Sequence, residues 1–304
     1  MIKILVWVAS VDNRFLNDAL KILERQHNGM ELVGMTSALP IVLNNERGGI
    51  LQRFSHEEVA EDLRNEYDIL LVMGGKNIGA RDIMKYADKL KFAADKILLD
   101  WIVCIPGFTI ENYRRLQRSR LTIFAKHCFG GHISHMLGLP FRSPFVNLYL
   151  EQSDFIRFLR APRVYMEEKL VFKEMQLQTE PLRDLEHAVF TLGNIDLHFN
   201  HYDRGTDENK FDERRKKINW YNLFVTMYTE DEKILEQFDE LPYGKKVCFV
   251  PFKSDLDSAW YINRELRKGL EFWAVVNDFA KGQPFYYDPF DMLLYGKKTQ
   301  LIEM

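Results

Sequence analysis

The run Tyr67-Asp-Ile-Leu-Leu-Val-Met73 is almost wholly apolar and stops at Gly74-Gly75. A strand that is apolar at successive positions, rather than at alternate ones, must be covered on both faces. Sheets covered in that way are the parallel sheets of α/β proteins. The flanking sequence fits. β-like runs at 2–9, 30–36 and 96–103 alternate with helical patterns at 14–26, 56–65 and 80–90. This alternation predicts a small doubly wound parallel sheet, Rossmann-like in outline, with ligands bound beyond the carboxyl ends of its strands.

The glycine fingerprint of dinucleotide binding is missing. The turn after the first run reads Val8-Ala-Ser-Val-Asp-Asn13 and has no glycine to bring backbone close to a pyrophosphate. Gly74-Gly75-Lys76-Asn77 could hold an anion through backbone N–H groups, or simply make a tight strand-to-helix turn. The residues identify no cofactor.

A chain of 304 residues exceeds the roughly 100–200 residues of a typical domain, so a second unit is expected. Pro106-Gly107-Phe108 breaks the alternation, and a helix follows through Tyr113, Leu116 and Ser119. The expected division is 1–110, the Rossmann-like α/β domain, and 111–304, a second α/β domain with a mixed sheet. In the second, strands are expected at 121–125, 145–150, 189–200 and 246–252. Helices are expected at 153–159, 208–217 and 231–241. The aromatic tail from 263 to 304, with Pro284, Pro289 and Gly296, should wrap over a domain.

A net charge of -3 provides no broad positive field for phosphate backbones, which argues against nucleic acid as a partner. No stretch approaches the ~18 apolar residues needed to span a bilayer. The opening MIKILVWVASVDNR reads as a strand, not a signal peptide. Cys104, Cys128 and Cys248 are odd in number and widely spaced, so neither a disulfide framework nor a zinc knuckle is expected, and a cytoplasmic location fits best.

Three clusters carry chemistry. The first is Lys126-His127-Cys128-Phe129-Gly130-Gly131-His132-Ile133-Ser134-His135, at the end of a strand and the start of a helix. Gly130 and Gly131 could expose backbone donors to a phosphate or carboxylate at the positive helix end. His127 could accept a proton and Cys128 attack; the plainer alternative is a buried thiol beside a satisfied turn histidine. His132 and His135 share a helix face, as paired metal ligands do, but no zinc signature supplies a third.

The second cluster, Asn194-Ile-Asp-Leu-His-Phe-Asn-His-Tyr202, alternates with period two. Asp196, His198 and Asn200 therefore share one strand face, where a carboxylate can orient an imidazole. An ordinary polar face is the alternative. The third, Arg214-Arg-Lys-Lys-Ile-Asn-Trp220, ends a basic helix in aromatics. Arg forks match phosphate and a Trp face stacks on sugars, although cations at a helix C-terminus are favoured by the dipole alone.

At these clusters the chain resembles the bacterial domain-of-unknown-function family nineteen-nineteen, found in proteins labelled as exopolysaccharide or capsule biosynthesis. The resemblance covers about residues 105 to 262. It rests on Pro106-Gly-Phe108, Cys128-Phe-Gly-Gly131, Leu137-Gly-Leu-Pro140 with Ser143-Pro144, Asp196-Leu-His-Phe199 with His201-Tyr202, and Arg214 to Trp220 with Asn222-Leu-Phe-Val225. His127 and Phe129 stand where the family has Asn and Trp around the cysteine. Tyr221 stands where Asp commonly precedes the Asn-Leu-Phe run.

The resemblance implies two α/β domains and a genetic association with surface sugars, but no established reaction. The leading expectation is a glycosyl-, phospho- or acyl-group transferase acting on a sugar or nucleotide-sugar. Gly130, Gly131 and Arg214 would hold a phosphorylated donor, and His198 would serve as base, oriented by Asp196. His127 and Cys128 are further catalytic candidates, and Ser143, His201, Tyr202, Asn219 and Trp220 further substrate-binding ones. The alternatives are a noncatalytic sugar- or nucleotide-binding partner of polysaccharide-assembly proteins, and a metal-dependent hydrolase using His132, His135, Asp196 and His198.

Overall fold

The computed structural model of the chain describes residues 2–8, 14–27, 30–37, 52–54, 67–74, 92–180, 183–200 and 207–304. The turn at 9–13, the segment after Gly74 and the helices expected at 56–65 and 80–90 lie outside the described residues. The chain divides into two compact units, Met1–Arg118 with His135–Gly138, and Ser119–Ser134 with Leu139–Met304.

The first unit contains β1 (Ile2–Val8), α1 (Leu16–Gln26), β2 (Met30–Ser37), β3 (Gln52–Phe54), β4 (Ile69–Met73) and β5 (Ile97–Leu99). The strands pair in parallel in the order β3-β2-β1-β4-β5. The chain thus runs outward on one side of β1 and returns to its other side, the doubly wound arrangement expected. All five residues of β4 are buried, as its unbroken apolar run requires. α1 turns Leu16, Ala19, Leu20 and Leu23 inward at helical spacing. The run at 96–103, expected as one strand, splits. β5 ends at Leu99 and a short helix, α2 (Asp100–Val103), follows. Asp100 stops the strand because its carboxylate accepts from the Trp101 N–H at 2.9 Å and the Gly74 N–H at 3.4 Å. α3 (Ile110–Arg118) buries Ile110, Tyr113 and Leu116.

The second unit begins with β6 (Thr122–Ala125) and α4 (Phe129–Met136). Next come α5 (Gln152–Arg160), α6 (Pro162–Glu167), β7 (Leu170–Glu180), β8 (Arg183–Leu192), β9 (Ile195–Phe199) and α7 (Asp207–Arg215). It continues through β10 (Leu223–Tyr228), α8 (Glu232–Asp239), β11 (Lys246–Val250), β12 (Ala259–Tyr261), α9 (Phe272–Ala280) and α10 (Pro289–Tyr295). Parallel and antiparallel pairing are divided between two sheets, a parallel one in the order β12-β11-β10-β6 and an antiparallel one in the order β7-β8-β9. The run at 189–200, expected as one strand, folds back on itself at Gly193-Asn194, where Gly193 adopts φ +61°. Only glycine enters that region without a Cβ penalty. The run at 145–150 is mostly turn, and only Tyr149 bridges a strand, at His198.

One face of the parallel sheet packs Phe124, Val225, Met227, Cys248 and Val250 against Leu197 and Phe199 of the antiparallel sheet and Phe155 and Phe158 of α5. On the other face Phe249 meets Phe129 of α4 at 5.3 Å and Phe279 of α9 at 5.4 Å. Each fully buried Phe contributes about 1.5–3 kcal/mol, so the aromatic tail is part of this core. With both faces covered, the sheet leaves its carboxyl edge for polar groups.

Candidate functional site

At that edge β6 ends and the chain continues into Lys126 and His127. The Lys126 N–H donates to Thr226 O at 3.2 Å, and the Lys126 carbonyl accepts from the Leu150 N–H at 2.9 Å. The neighbouring Tyr149 exchanges two backbone hydrogen bonds with His198 of β9, each 3.0 Å. One short segment, 149–151, therefore joins the carboxyl edge of the parallel sheet to the antiparallel sheet.

The Lys126 ammonium lies 4.1 Å from the centroid of the Tyr228 ring at the end of β10. Burial pulls its pKa down to about 8, against the opposing pull of Glu151. Among the described residues its ammonium makes no ion pair, though the Glu151 carboxylate acts on it. His127 meets the same Tyr228 ring edge-on at 4.6 Å. Neither of its ring nitrogens has a partner among the described residues. Burial, and then the charges of Lys126 and His132, hold it neutral far below the usual histidine range. The Tyr228 phenol is pushed up to about 12, first by burial and then by Glu151.

His198 is 7% exposed and stacks on the Tyr149 ring, with centroids 4.4 Å apart and planes 12° apart. Its Nδ1 lies 3.2 Å from Nε2 of the buried His187 on β8. Burial, and then His187, lower its pKa, opposed by Glu151, Asp196 and Asp154. The exposed Glu151 carboxylate favours the protonated form of Lys126, Tyr149, His198 and Tyr228 alike.

Of the residues singled out from sequence, His127 and His198 belong to this cluster. Cys128 adjoins it, but burial raises its thiol pKa, opposite to what a nucleophilic thiolate needs. Gly130 and Gly131 answer first to packing. A Cβ on Gly130 would sit 3.1 Å from Ile123 Cγ2 and 3.2 Å from Ala125 Cβ, and one on Gly131 3.3 Å from Val146 Cγ1. Asp196 lies on the expected face of β9, opposite Thr191, but its carboxylate is held by Lys173 at 2.7 Å. The ring partner of His198 is His187 at Nδ1, not the Asp196 expected to orient it.

Ser143 is buried and accepts the Phe145 N–H at 3.2 Å, a turn bond. Arg214 donates to Val146 O at 3.1 Å and lies 5.7 Å over the Phe141 ring. Asn219 donates its N–H to Thr122 Oγ1 and accepts from the Tyr221 N–H. Trp220 packs edge-on against Phe124 and carries Arg163 over its ring at 4.6 Å. The six contacts of Arg214, Asn219 and Trp220 tie down the strand edge and the core, so the basic and aromatic cluster serves packing as it stands. His201 and Tyr202 lie outside the described residues. His132, His135, Asp196 and His198 do not converge: among the described residues no group of three or more His, Cys, Asp or Glu is placed to hold a metal ion.

Sequence reasoning passed over Tyr149, Glu151, His187 and Tyr228, and quoted Lys126 without giving it a role. One signal was available. The apolar run 223–228 breaks into Tyr228-Thr229-Glu230 as the run 121–125 breaks into Lys126-His127-Cys128, and polar groups after parallel strands mark the ligand edge. His187 carried no local signal.

A family model described as "Domain of unknown function (DUF1919)" matches residues 101–295. An uncharacterised protein of Haemophilus influenzae (strain Rd) is 35% identical over 188 residues, 59% of this chain and 84% of that relative. Among the described residues no helix is long and apolar enough to cross a membrane.

Proposed function

The chain belongs to the DUF1919 family of domains of unknown function, and from that membership we propose that it is a cytoplasmic transferase. It moves a sugar-linked group from a sugar phosphate or nucleotide-sugar during surface-polysaccharide assembly. One observation carries the anionic half of this reading: Lys126 is a buried cation that makes no ion pair among the described residues, its desolvation opposed by the exposed Glu151 carboxylate, at the carboxyl edge of a parallel sheet. Burying a charge is costly unless an opposite charge meets it, and a phosphorylated ligand supplies one. The sugar half rests on the resemblance to polysaccharide-associated proteins.

In the proposed reaction an acceptor hydroxyl gives its proton to His198 Nε2 as its oxygen bonds to the electrophilic atom of the transferred group. The bond from that atom to the departing phosphate oxygen breaks, and the released negative charge lies against Lys126. Cys128 takes no part, since its thiol is held protonated.

The test is a thermal-shift and calorimetric screen of the chain against nucleotide-sugars and sugar phosphates, repeated on Lys126→Met. Stabilisation by a phosphorylated sugar that Lys126→Met abolishes supports the reading. A flat response of the native chain across a broad panel overturns it. A second reading, a noncatalytic partner of the assembly proteins, draws on the edge strand β7, where Val171, Phe172, Met175 and Leu177 are exposed. It requires ligand binding without turnover.

A further inference from the structure

Among the described residues β7 pairs with β8 alone and is the free edge of the antiparallel sheet, whereas the other edge, on β9, is bridged by Tyr149. The β7–β8 ladder slips between Phe172 and Glu174, which makes Lys173 the extra residue of a bulge. Residues directly opposite one another across a ladder share a face. Leu170, Phe172, Met175 and Leu177 stand opposite Leu192, Phe190, Ala188 and Glu186, alternate residues of β8, and so lie on one face. Val171, Glu174 and Gln176 stand opposite Thr191, Val189 and His187 and lie on the other, where Lys173 meets Asp196. The first face continues the row begun by the buried Leu192 and Phe190, yet Phe172 is 52% exposed and Leu177 66%.

The backbone of β7 divides in the same way. His198 exchanges two backbone hydrogen bonds with Tyr149, so its groups point away from β8 and those of Leu197 and Phe199 point toward it. Phe190 and Ala188, opposite them, direct their groups at β9, which leaves Thr191, Val189 and His187 to bond β7 at Val171, Glu174 and Gln176. The N–H and C=O groups of Leu170, Phe172, Met175 and Leu177 are therefore directed out of the sheet.

This pattern reads the same from either end. A half-turn about an axis between Lys173 and Glu174 sets Leu170 opposite Leu177, Val171 opposite Gln176, Phe172 opposite Met175 and Lys173 opposite Glu174. Apolar face meets apolar face, outward groups meet outward groups, and a cation meets an anion. The bulge makes this possible. In a regular strand the same pairing would set each residue against one from the opposite face. A bulge ordinarily blunts an edge strand, but here the axis lays bulge on bulge and the ladder stays in step on both sides of it.

We infer that β7 pairs antiparallel with the β7 of a second copy of this chain, about a two-fold axis between Lys173 and Glu174, and joins the two antiparallel sheets into one. Phe172 then packs beside Met175 on the apolar face, and Lys173 lies between its own Asp196 and the Glu174 across the axis. The interface is isologous and closes at two copies. It occupies the edge on which the noncatalytic reading draws, and it is independent of any ligand at Lys126.

The experiment is sedimentation equilibrium of the full chain. One shared strand pair is a small interface, so a monomer–dimer equilibrium in the micromolar range is expected. Lys173→Glu and Glu174→Lys each set like charges across the axis and should sediment as monomers. Mixed in equal amounts they should dimerise, because opposite charges then meet. Met175→Pro removes an N–H directed outward and none directed at β8, so it should give a monomer with the native circular dichroism spectrum. A native chain that stays monomeric up to millimolar concentration, a dimer that survives Glu174→Lys or Met175→Pro, or a mixture that stays monomeric overturns the inference. Protection of the β7 amides that appears only when another protein is added to a monomeric chain would assign the edge to that protein instead.

Discussion

The Lys126 ammonium and the Tyr228 ring, 4.1 Å apart, sit at the carboxyl ends of two adjacent parallel strands, where one apolar core ends and polar chemistry begins. A ring face attracts a cation by about 0.5–2 kcal/mol, and more as water is excluded. Tyr228→Phe keeps the face and should leave unfolding in urea nearly unchanged. Tyr228→Leu should cost about 1–2 kcal/mol more than Tyr228→Phe at pH 7. Equal losses would mean that the ring does not hold the charge.

Lys126→Met should stabilise the ligand-free chain. The folded-state pKa of about 8 lies below the ordinary 10.5, so the protonated lysine favours the unfolded chain by about 3 kcal/mol at neutral pH. That penalty is complete below pH 8 and disappears as pH rises to 10.5. The variant's advantage in urea midpoint should therefore be largest at pH 7 and close to nothing near pH 10.5. A variant less stable than the native chain at pH 7 would contradict this.

Acid should act through His127. Its folded-state pKa is lowered far below the value it has when unfolded, which for histidine is about 6.5. The unfolded chain therefore takes a proton that the native chain refuses. The contribution of His127 should be level above about pH 7 and fall as pH drops through 6.5 toward the folded-state value, separate from the rise that Lys126 gives between pH 8 and 10.5. Replacing the ring with an uncharged one, His127→Phe, should flatten that part of the profile, as measured by urea unfolding at pH 7 and pH 5.

Gly130→Ala tests why α4 approaches β6 so closely. The added methyl would meet Ile123 Cγ2 at 3.1 Å and Ala125 Cβ at 3.2 Å, both on a strand that cannot yield easily. Overpacking costs about 1–3 kcal/mol, partly offset by the ~1 kcal/mol helix preference of alanine. A net loss of about 1 kcal/mol is expected. Gly244→Ala, with nothing within 4 Å of its Cβ, should stay within about 0.5 kcal/mol.

Asp196 offers a contrast with the site itself. Its carboxylate is committed to Lys173, so Asp196→Ala should leave any ligand-induced thermal shift at native size, whereas Lys126→Met removes it. Loss of the shift in Asp196→Ala would return Asp196 to the site.

Periodicity was enough to read the α/β class. The unbroken run ending at Met73 and the spacing of Leu16, Ala19, Leu20 and Leu23 each state which faces are buried. It also set Asp196 and His198 on one strand face and His127 at a strand end. It failed where a side chain or a turn cut an apolar run short, at Asp100 and at Gly193-Asn194. The glycine, basic and aromatic residues that composition made conspicuous, Gly130, Gly131, Arg214 and Trp220, are held in close packing and strand-edge contacts.

By itself the sequence determined which residues face inward, because burial along a strand or helix repeats with a short period among near neighbours. Which polar groups meet was decided only by tertiary structure. His187 reaches His198 through the register of an antiparallel hairpin, and Lys126 reaches Tyr228 through the alignment of two parallel strands far apart in the chain. Register is set by how whole sheets fit over a shared core, and no local pattern of residues records it.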